Sequence, residues 1–357
     1  MRISFILSSL WLSGGVRDIV EYANRLAERG HTIALVIPGG TNDRDMASEL
    51  HHAVQCIESE VPRLNDASVF HQARLSWSMA QAVPHSDLVI STHTPTTVPG
   101  FLSTRLLRKG IPVWFYQDYL DMFRGRRLEQ WLLRHAVRWH RLTLTISQYA
   151  ADELKIYAPG NIEVAHIGLS HAEVFQPVLM GERPTSPERR ILFLGDMRPR
   201  KGLYDFLDAM AIVHAQIPNL RLWIVSKEDC DIQSELPFEY IHRPSRQELA
   251  RLYAECDVFV SASWWESLGI PALEAMASAA PVVLTQSGGV LDYARPGENC
   301  LMTPARDPKA LAAAVLRVLG DPALAQRLSA NGPPTAAEFD WEKVTDNLER
   351  RLHELLV

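Results

Sequence analysis

The chain has 357 residues, of which 47% are apolar and 22% charged, a composition typical of soluble globular proteins. This length exceeds what one ordinary hydrophobic core accommodates, so two domains are expected. The net charge of −6 argues against bulk nucleic-acid binding, and no apolar run approaches the ~20 residues needed to span a bilayer.

The chain opens with MRISFILSSLWLSGG, an apolar run that Gly14-Gly15 interrupts before a helical pattern begins. Because no small-residue cleavage site follows, a buried first strand is favoured over a signal peptide. The four cysteines lack metal-ligand spacing and are expected to be free thiols in a reducing compartment, which predicts a cytoplasmic protein.

The first half of the chain alternates buried strands with amphipathic helices. A continuous apolar run at residues 3–7 predicts a strand buried on both faces, and residues 16–30 carry apolar side chains at helical spacing. A second buried strand at residues 32–37 completes a βαβ unit, which implies a parallel sheet. Further strands are predicted at residues 87–92, 112–117 and 142–147.

A segment rich in proline and charge, residues 171–190, interrupts this alternation and is typical of a linker. The alternation then resumes, with strands predicted at residues 191–195, 220–226, 258–263 and 281–286. We therefore predict an α/β fold of two Rossmann-like doubly wound domains that face each other across a cleft. Their predicted bounds are 1–178 and 179–338. A C-terminal helix is predicted at residues 339–357, and we expect it to pack against the first domain.

The strongest chemical pattern is WESLGIPALEAMA, which follows a predicted strand. Pro271 suits the first turn of a helix, so the N–H groups of residues 267–270 would face an anion at the positive end of the helix dipole. Glu266 and Glu274 bracket this position, and a carboxylate accepts adjacent hydroxyl donors of a sugar. The alternative is that both are surface or capping carboxylates.

Six ordered segments resemble retaining glycosyltransferases of the two-Rossmann (GT-B) type, specifically glycosyltransferase family 4 (glycosyl transferases group 1). They are GGVRDIVEYANRLAERGHTIALV, LTLTISQYAADEL, IGLSHAEVFQP, ILFLGDMRPRKG, CDVFVSASWWESLGIPALEAMASAAPVV and SGGVLDYARPGENCLM. Together they extend over nearly the whole chain. The resemblance implies transfer of a hexose from a nucleoside diphosphate sugar, with retention of configuration, to a glycan, lipid-linked or small-molecule acceptor.

The same resemblance assigns roles on the donor side. Glu266 would lie beside the donor hexose, and Glu274 would take the ribose hydroxyls. The diphosphate would be contacted by the loop amides of Ser267, Leu268, Gly269 and Ile270. Gly15 would belong to a loop that reaches the donor phosphates, while a simple tight turn is the alternative for this glycine.

The loop GDMRPRKG offers cations for a diphosphate at a strand-to-helix turn without a metal. The family usually has Gly-Arg followed by Lys-Gly here. Lys201 and Gly202 match this pattern, whereas Asp196 stands where the arginine is expected, so Arg198 is the candidate replacement. A merely solvated basic loop is the alternative. No D-x-D motif lies in a suitable loop, so neither a metal nor another cofactor is expected.

Two further loops supply candidates for the reacting sugar or the acceptor. Tyr116, Gln117 and Asp118 end a predicted strand at a position where many relatives have a histidine. Either Gln117 or Asp118 would hydrogen-bond the donor sugar or acceptor, and Asp118 is a candidate general base. His93 ends another strand. The alternatives are a strand-end turn for Asp118 and a structural role for His93.

Residues 123–142 interleave aromatic and basic side chains, namely Trp131 and Trp139 with Arg127, Arg134, Arg138 and Arg141. Basic residues beside interfacial tryptophans suit a helix that rests on anionic lipid, which would place the protein peripherally on the inner membrane face. The alternative is a packed helix with a solvated basic face.

Two other functions stay open at this level. One is a different enzyme on the same scaffold, such as a sugar-nucleotide epimerase or a glycan phosphorylase, although no lysine-linked pyridoxal site is apparent. The other is a non-catalytic sugar-nucleotide-binding or assembly subunit, which Asp196 and the missing histidine at Gln117 suggest. The donor base, the hexose and the acceptor are not specified by these patterns.

Overall fold

The computed structural model describes residues 1–65, 68–118, 123, 125–156, 160–170, 172–179, 183 and 186–357. These residues form two compact units, Met1–Gly168 together with Glu342–Val357, and Leu169–Trp341. The first unit therefore ends before the predicted linker, part of which lies outside the described residues.

The first unit is built on a sheet of seven strands that pair in parallel. Its elements are β1 (Arg2–Ile6), α1 (Gly14–Glu28), β2 (Thr32–Gly39), α2 (Arg44–Ser48), β3 (Val54–Pro62), α3 (Val69–Ala82), β4 (Leu88–Ser91), α4 (Thr97–Phe101), β5 (Ile111–Tyr116), α5 (Arg127–Trp139), β6 (Leu142–Thr145), α6 (Gln148–Lys155) and β7 (Ile162–Val164). The strand order is β3-β2-β1-β4-β5-β6-β7, a Rossmann order with one added strand.

The second unit repeats the plan with six parallel strands. Its elements are β8 (Arg189–Leu194), α7 (Leu203–His214), β9 (Leu220–Ser226), β10 (Phe238–His242), α8 (Arg246–Glu255), β11 (Val258–Ser261), α9 (Ile270–Ala277), β12 (Val282–Thr285), β13 (Leu301–Thr303), α10 (Pro308–Gly320) and α11 (Pro322–Ala336). The order β10-β9-β8-β11-β12-β13 is again the Rossmann order. Two Rossmann-like sheets confirm the predicted fold class.

Apolar runs predicted the interior strands, whose bounds differ from the prediction by at most a few residues. Four strands were not predicted: β3, β7, β10 and β13. Each of them is an edge strand of its sheet. An edge strand pairs on one side only and is less buried, so its sequence need not be continuously apolar.

The last helix, α12 (Trp341–Glu354), is held to the first unit by ion pairs. Arg29 on the turn after α1 contacts Glu342 at 2.7 Å, Asp346 at 2.7 Å and Glu349 at 2.8 Å. Arg25 also pairs with Glu342. These contacts bring the end of the chain back to its first βαβ unit.

Because all strands in each sheet run parallel, the loops that follow them gather at one edge of that sheet. In the first unit, this edge collects the loops after β1, β4 and β5. In the second unit, it collects the loops after β8, β11 and β12. The predicted site residues lie on these loops, apart from Gly15 in the first turn of α1, Tyr116 at the end of β5 and those on α9.

Candidate active site

In the second unit, the loop after β8 is fastened to the loop after β11. The N–H of Trp264 donates to the carbonyl of Arg200 at 2.7 Å, and the Arg200 guanidinium donates to the carbonyl of Trp265 at 3.3 Å. Gly202 has a φ of +66°, and a Cβ there would lie 2.0 Å from the carbonyl oxygen of Ala262. Only glycine fits this close approach in a left-handed conformation.

This fastening brings Lys201 to Glu266. Lys201 Nζ donates to Glu266 Oε1 at 2.6 Å, and Ser263 Oγ donates to the same oxygen at 2.7 Å. The other carboxylate oxygen lies 3.7 Å from the Arg200 guanidinium. The Lys201 and Glu266 side chains are only 14% and 13% exposed, so each largely buried charge is compensated by the other.

Arg198 is held by Asp196. The guanidinium donates to both carboxylate oxygens, at 2.8 and 2.5 Å, and the Arg198 N–H donates at 2.9 Å. Burial by itself would raise the pKa of Asp196, but these hydrogen bonds and the positive charge hold it below its ordinary value. The Arg198 side chain is 60% exposed, so its position at the loop edge is open to solvent.

The segment between the two glutamates turns sharply into α9. Gly269 caps the helix with a φ of +85°, and a Cβ there would lie 2.7 Å from Val290 Cγ1. Behind the loop, a Cβ on Gly289 would lie 1.9 Å from the Ser267 carbonyl oxygen. Leu268 is buried and Ile270 begins the helix. Since the first N–H groups of a helix lack intrahelical acceptors, this end of α9 suits an anion.

Glu274 lies one turn into α9 and accepts a hydrogen bond from the hydroxyl of Tyr253 at 3.0 Å. Burial raises the pKa of Glu274 to about 7, while the Tyr253 hydrogen bond and the positive charges of Lys227 and Arg246 act in the opposite direction. Tyr253 itself is fully buried on α8. Glu274 therefore changes charge near neutral pH.

In the first unit, three predicted residues converge above the start of α1. A Cβ on Gly15 would lie 3.0 Å from Gln117 Oε1 and 3.4 Å from His93 Nε2. The amide atoms of Gln117 are buried, and neither has a hydrogen-bond partner within the described part of the chain. Buried polar groups normally have partners, so the Gln117 amide is a candidate for contact with a bound ligand.

The orientation of the His93 ring follows from a short chain of hydrogen bonds. The Thr92 hydroxyl donates to the carbonyl of Ile6 at 2.9 Å, and His93 Nδ1 lies 3.0 Å from the same hydroxyl oxygen. Because a hydroxyl has one proton, Thr92 must accept from His93 Nδ1–H. Nε2 is then the ring atom on the side of Gly15 and Gln117 that faces a bound sugar hydroxyl.

The other two predicted residues of this unit have structural contacts. Asp118 is buried, and its Oδ2 accepts the N–H of Thr94 at 2.7 Å, which is the strand-end role weighed against general-base catalysis. Tyr116 is fully buried in β5, and its ring packs edge-on against Trp114 at 5.0 Å. The ring of Tyr116 thus belongs to the hydrophobic core of the first unit.

Three residues at these sites were not predicted: Ser263, Tyr253 and Thr92. Each one hydrogen-bonds a predicted residue, respectively Glu266, Glu274 and His93. Ser263 and Thr92 lie within three residues of their partners, so proximity was an available signal. Tyr253 sits on another helix, and no sequence pattern relates it to Glu274.

Two family models match the chain. The one described as "Glycosyltransferase Family 4" matches residues 12–173, and the one described as "Glycosyl transferases group 1" matches residues 188–321. Glycogen synthase of Mycobacterium tuberculosis is 28% identical over 228 residues, which are 61% of this chain and 54% of that protein. The chain spans about half the length of the curated relatives of this kind that it matches.

Solved structures share the fold over the full chain. Sucrose-phosphate synthase from Thermosynechococcus elongatus has a TM-score of 0.80 at 19% identity, covering 99% of this chain and 98% of that one. HepE from Anabaena, in complex with UDP and glucose, has a TM-score of 0.78 at 18% identity, covering 99% and 100%. At these identities, the likeness shows that this chain has their two-Rossmann (GT-B) fold.

Proposed function

The chain belongs to the glycosyltransferases of group 1 and family 4, and we propose that it transfers a hexose from a nucleoside diphosphate sugar. The acceptor is a glycan, a lipid-linked sugar or a small molecule, and the configuration at the anomeric carbon is retained. The observation that carries this proposal is the Lys201–Glu266 pair, which holds a cation and a carboxylate next to the loop that leads into the start of α9. The complex of HepE with UDP and glucose supports the donor class.

On the donor side, Lys201 and the amides of residues 267–270 stabilise the negative charge that develops on the diphosphate. Glu266 binds hydroxyls of the hexose, and Glu274 binds those of the ribose. Arg198 adds positive charge at the open edge of the loop, moderated by Asp196. No metal ion takes part, because the cations and amides supply the charge stabilisation.

The reaction breaks the bond between the anomeric carbon and the diphosphate oxygen. The acceptor hydroxyl oxygen bonds to the anomeric carbon on the face that the diphosphate leaves, and its proton passes to the departing phosphate oxygen. Gly15 leaves room for the sugar, while His93 Nε2 and the Gln117 amide hydrogen-bond it. The products are the glycosylated acceptor and the nucleoside diphosphate.

Donor binding and turnover test this proposal together. The protein is screened by thermal shift against nucleotide sugars, where a ligand at 100 times its Kd should stabilise it by about 2.7 kcal/mol. The stabilising donor, labelled in its sugar, is then incubated with acceptors in buffer containing EDTA, and the product's anomeric configuration is determined. Failure of every nucleotide sugar to stabilise the protein would refute the donor site, and an inverted product would refute retention.

A second function has a specific observation in its favour. Asp196 neutralises Arg198, which is the arginine available to replace the one expected at this loop. A non-catalytic subunit that binds a sugar nucleotide would tolerate this loss of positive charge. Ordinary donor affinity without transfer to any acceptor or to water would favour that function over catalysis.

We also propose that α5 rests on an anionic membrane from the cytoplasmic side. Leu132, Leu133, Ala136 and Val137 are its buried residues. The opposite face carries Trp131, 49% exposed, Leu128, 51% exposed, and the exposed Arg127, Arg134 and Arg138. No helix in the described part of the chain is long and apolar enough to cross a bilayer. Trp139, by contrast, packs against Phe101 at 5.0 Å.

Vesicle sedimentation tests this surface. The protein should bind vesicles that contain phosphatidylglycerol more than vesicles of phosphatidylcholine alone, and added salt should weaken binding. The variant Arg134→Glu/Arg138→Glu should lose most of the binding, whereas Arg327→Glu on α11 should not. Equal binding by both variants would exclude α5 as the membrane contact.

A further inference from the structure

Three side chains with metal-binding atoms converge where α12 meets the start of β2. Within the first unit, His31 Nε2 lies 2.7 Å from Glu349 Oε1, and His353 Nε2 lies 3.7 Å from the same oxygen. The ligand atoms of all three residues lie within 4.8 Å of one another. The two imidazole ring centres are 5.9 Å apart. The atoms thus lie near the vertices of a small coordination polyhedron.

The backbone fixes this arrangement from two directions. Gly30 ends the α1–β2 connection with a φ of +87°, which places His31 immediately before β2. Glu349 and His353 are four residues apart on α12, so their side chains share one face of that helix. The His31 side chain is only 8% exposed, whereas that of His353 is 55% exposed.

The surroundings suit a cation that is bound through Oε1 of Glu349. The second oxygen, Oε2, accepts from the Arg29 guanidinium at 2.8 Å, which orients the carboxylate and leaves Oε1 directed at the histidines. Asp346 and Glu342 add negative charge next to Arg29. On the far side of the His31 ring, Nδ1 lies 3.1 Å from the amino nitrogen of Met1. When Nε2 binds the ion, Nδ1 carries the ring proton and donates it to that nitrogen as a neutral amine.

We propose that His31, Glu349 and His353 bind a divalent transition-metal ion of the zinc class, which links α12 to the first sheet. Two imidazoles and one carboxylate leave a fourth position for water in a tetrahedral zinc site. Ligand atoms in such a site are about 3.3 Å apart, from Zn–N and Zn–O distances of ~2.0 Å. The two separations from Glu349 Oε1, 2.7 and 3.7 Å, each change by about half an ångström on binding, and the two histidine nitrogens, at most 4.8 Å apart, approach each other. The ion takes the place of the contact between His31 Nε2 and Glu349 Oε1.

This site is separate from the proposed transfer chemistry. His31 lies at the amino end of its strand, whereas the candidate active-site loops follow the carboxyl ends of the strands. The bound ion would therefore act on the docking of α12. It is expected to change the stability of the protein without entering the reaction.

Calorimetric titration of the tag-free, metal-stripped full chain with ZnCl₂ tests the proposal, with MgCl₂ as a comparison. We expect one Zn²⁺ per chain, a higher melting temperature with Zn²⁺ and not with Mg²⁺, and weaker Zn²⁺ binding at pH 5.5 than at pH 7.5 because protons compete with the metal for its ligand atoms. The His353→Ala variant should weaken Zn²⁺ binding at least tenfold. Its side chain is exposed, so the variant should remain folded.

A matched control is His135→Ala, which removes a helical histidine whose ring bonds within its own helix, to the Trp131 carbonyl at 2.7 Å. It should bind Zn²⁺ as the wild-type chain does. Glu349→Gln and His31→Ala should each abolish the increase in melting temperature, with circular dichroism confirming that they are folded. Absence of saturable Zn²⁺ binding, or equal binding by His353→Ala and His135→Ala, would overturn the proposal.

Discussion

The two loop clusters that hold the candidate site residues differ in how their polar groups are satisfied. In the second unit, the charges of Lys201 and Glu266 are paired with each other and reinforced by Ser263. In the first unit, Gln117 and His93 lie over Gly15 without an ion-pair partner between them, and the Gln117 amide lacks a hydrogen-bond partner among the residues described.

This difference bears on what each cluster gains from a ligand. The loop cluster of the second unit, called here the second cluster, already contains the Lys201–Glu266 ion pair before a ligand binds, so it contributes to the stability of the fold. A phosphate that reaches Lys201 must share this cation with Glu266. The loop cluster of the first unit, called here the first cluster, consists of Gly15, His93 and Gln117. A sugar that reaches Gln117 and His93 supplies hydrogen bonds that the protein lacks, so this cluster contributes to binding and activity mainly when a ligand occupies it. Substitutions in the two clusters should therefore separate stability from activity.

The largest effect is expected from Lys201→Met. Loss of a positive charge at the diphosphate should reduce kcat/KM about 10³-fold, as removal of a transition-state donor commonly does. It should also lower the free energy of unfolding by about 3 kcal/mol, because Glu266 would stay largely buried without its cation. Adding Glu266→Gln should restore most of the stability but not the activity. Urea denaturation measures the loss of stability, and initial rates measure the loss of activity. Full activity in Lys201→Met would contradict the proposed donor site.

The next largest effect is expected from Gly15→Ala, which would place a methyl group 3.0 Å from Gln117 Oε1. By displacing the sugar from its productive position, it should reduce kcat/KM about 10²-fold. Its unfolding free energy should change by less than about 1 kcal/mol. The neighbouring Gly14→Ala is a matched control, since its Cβ would have no atom within 4 Å. If the two variants were equally active, the first cluster would have no role in transfer.

Glu274→Gln should change the pH dependence of nucleotide binding. In the wild-type chain, affinity should rise as Glu274 loses its proton near pH 7, and the variant should bind about tenfold more weakly at pH 8 but similarly at pH 5.5. Isothermal titration calorimetry with the nucleoside diphosphate measures the affinity of the wild-type chain and of the variant at each pH. A variant with the wild-type pH profile would remove Glu274 from the ribose site.

The stability of the same variant has a defined sign. The folded-state pKa of about 7 lies above the ordinary value of 4.5, so the native state binds more protons between these values. This group's contribution to stability therefore falls as pH rises from 4.5 through 7. Above pH 7 the folded chain must keep Glu274 buried in its charged form, which costs stability. Glu274→Gln removes this cost and should be more stable than the wild-type chain at pH 8, by on the order of 2 kcal/mol. Urea denaturation at pH 5 and pH 8 provides the measurement.

The smallest effect is expected from Thr92→Val, which removes the acceptor for His93 Nδ1–H but keeps the side-chain shape. The imidazole would then be free to change tautomer, and kcat/KM should fall about three- to tenfold. The pH profile of kcat/KM should also shift in the variant, which a purely structural threonine would not cause. An unchanged rate and profile would show that Thr92 does not orient the ring.

The sequence predicted the interior of the fold better than its borders. Strands such as β1 and β9 are buried on both sides, and this burial requires a continuous apolar run that can be recognised in the sequence. Strands β3 and β10 have mixed polarity because each pairs with one neighbour only. Their identity as strands depends on that neighbour, which is distant in the sequence.

The segment from Glu266 to Glu274 shows how far the sequence alone reaches at the site. The order of carboxylate, proline-started helix and second carboxylate lies within nine consecutive residues, so the preference of proline for the first helical turn and the resemblance to a family were sufficient to predict it. The pairing of Lys201 with Glu266 joins residues 65 positions apart, and only the packing of two loops establishes it.

The same distinction holds for Arg198 and for the first cluster. The sequence identified Arg198 as a replacement cation, but a bidentate contact with Asp196 depends on the path of the turn. Gly15, His93 and Gln117 were each predicted from separate strand ends, and their convergence required the strand order. Local chemistry was therefore determined by the sequence, whereas the partners of each charged or polar group were decided by the tertiary structure, because hydrogen bonds and ion pairs depend on distances in space.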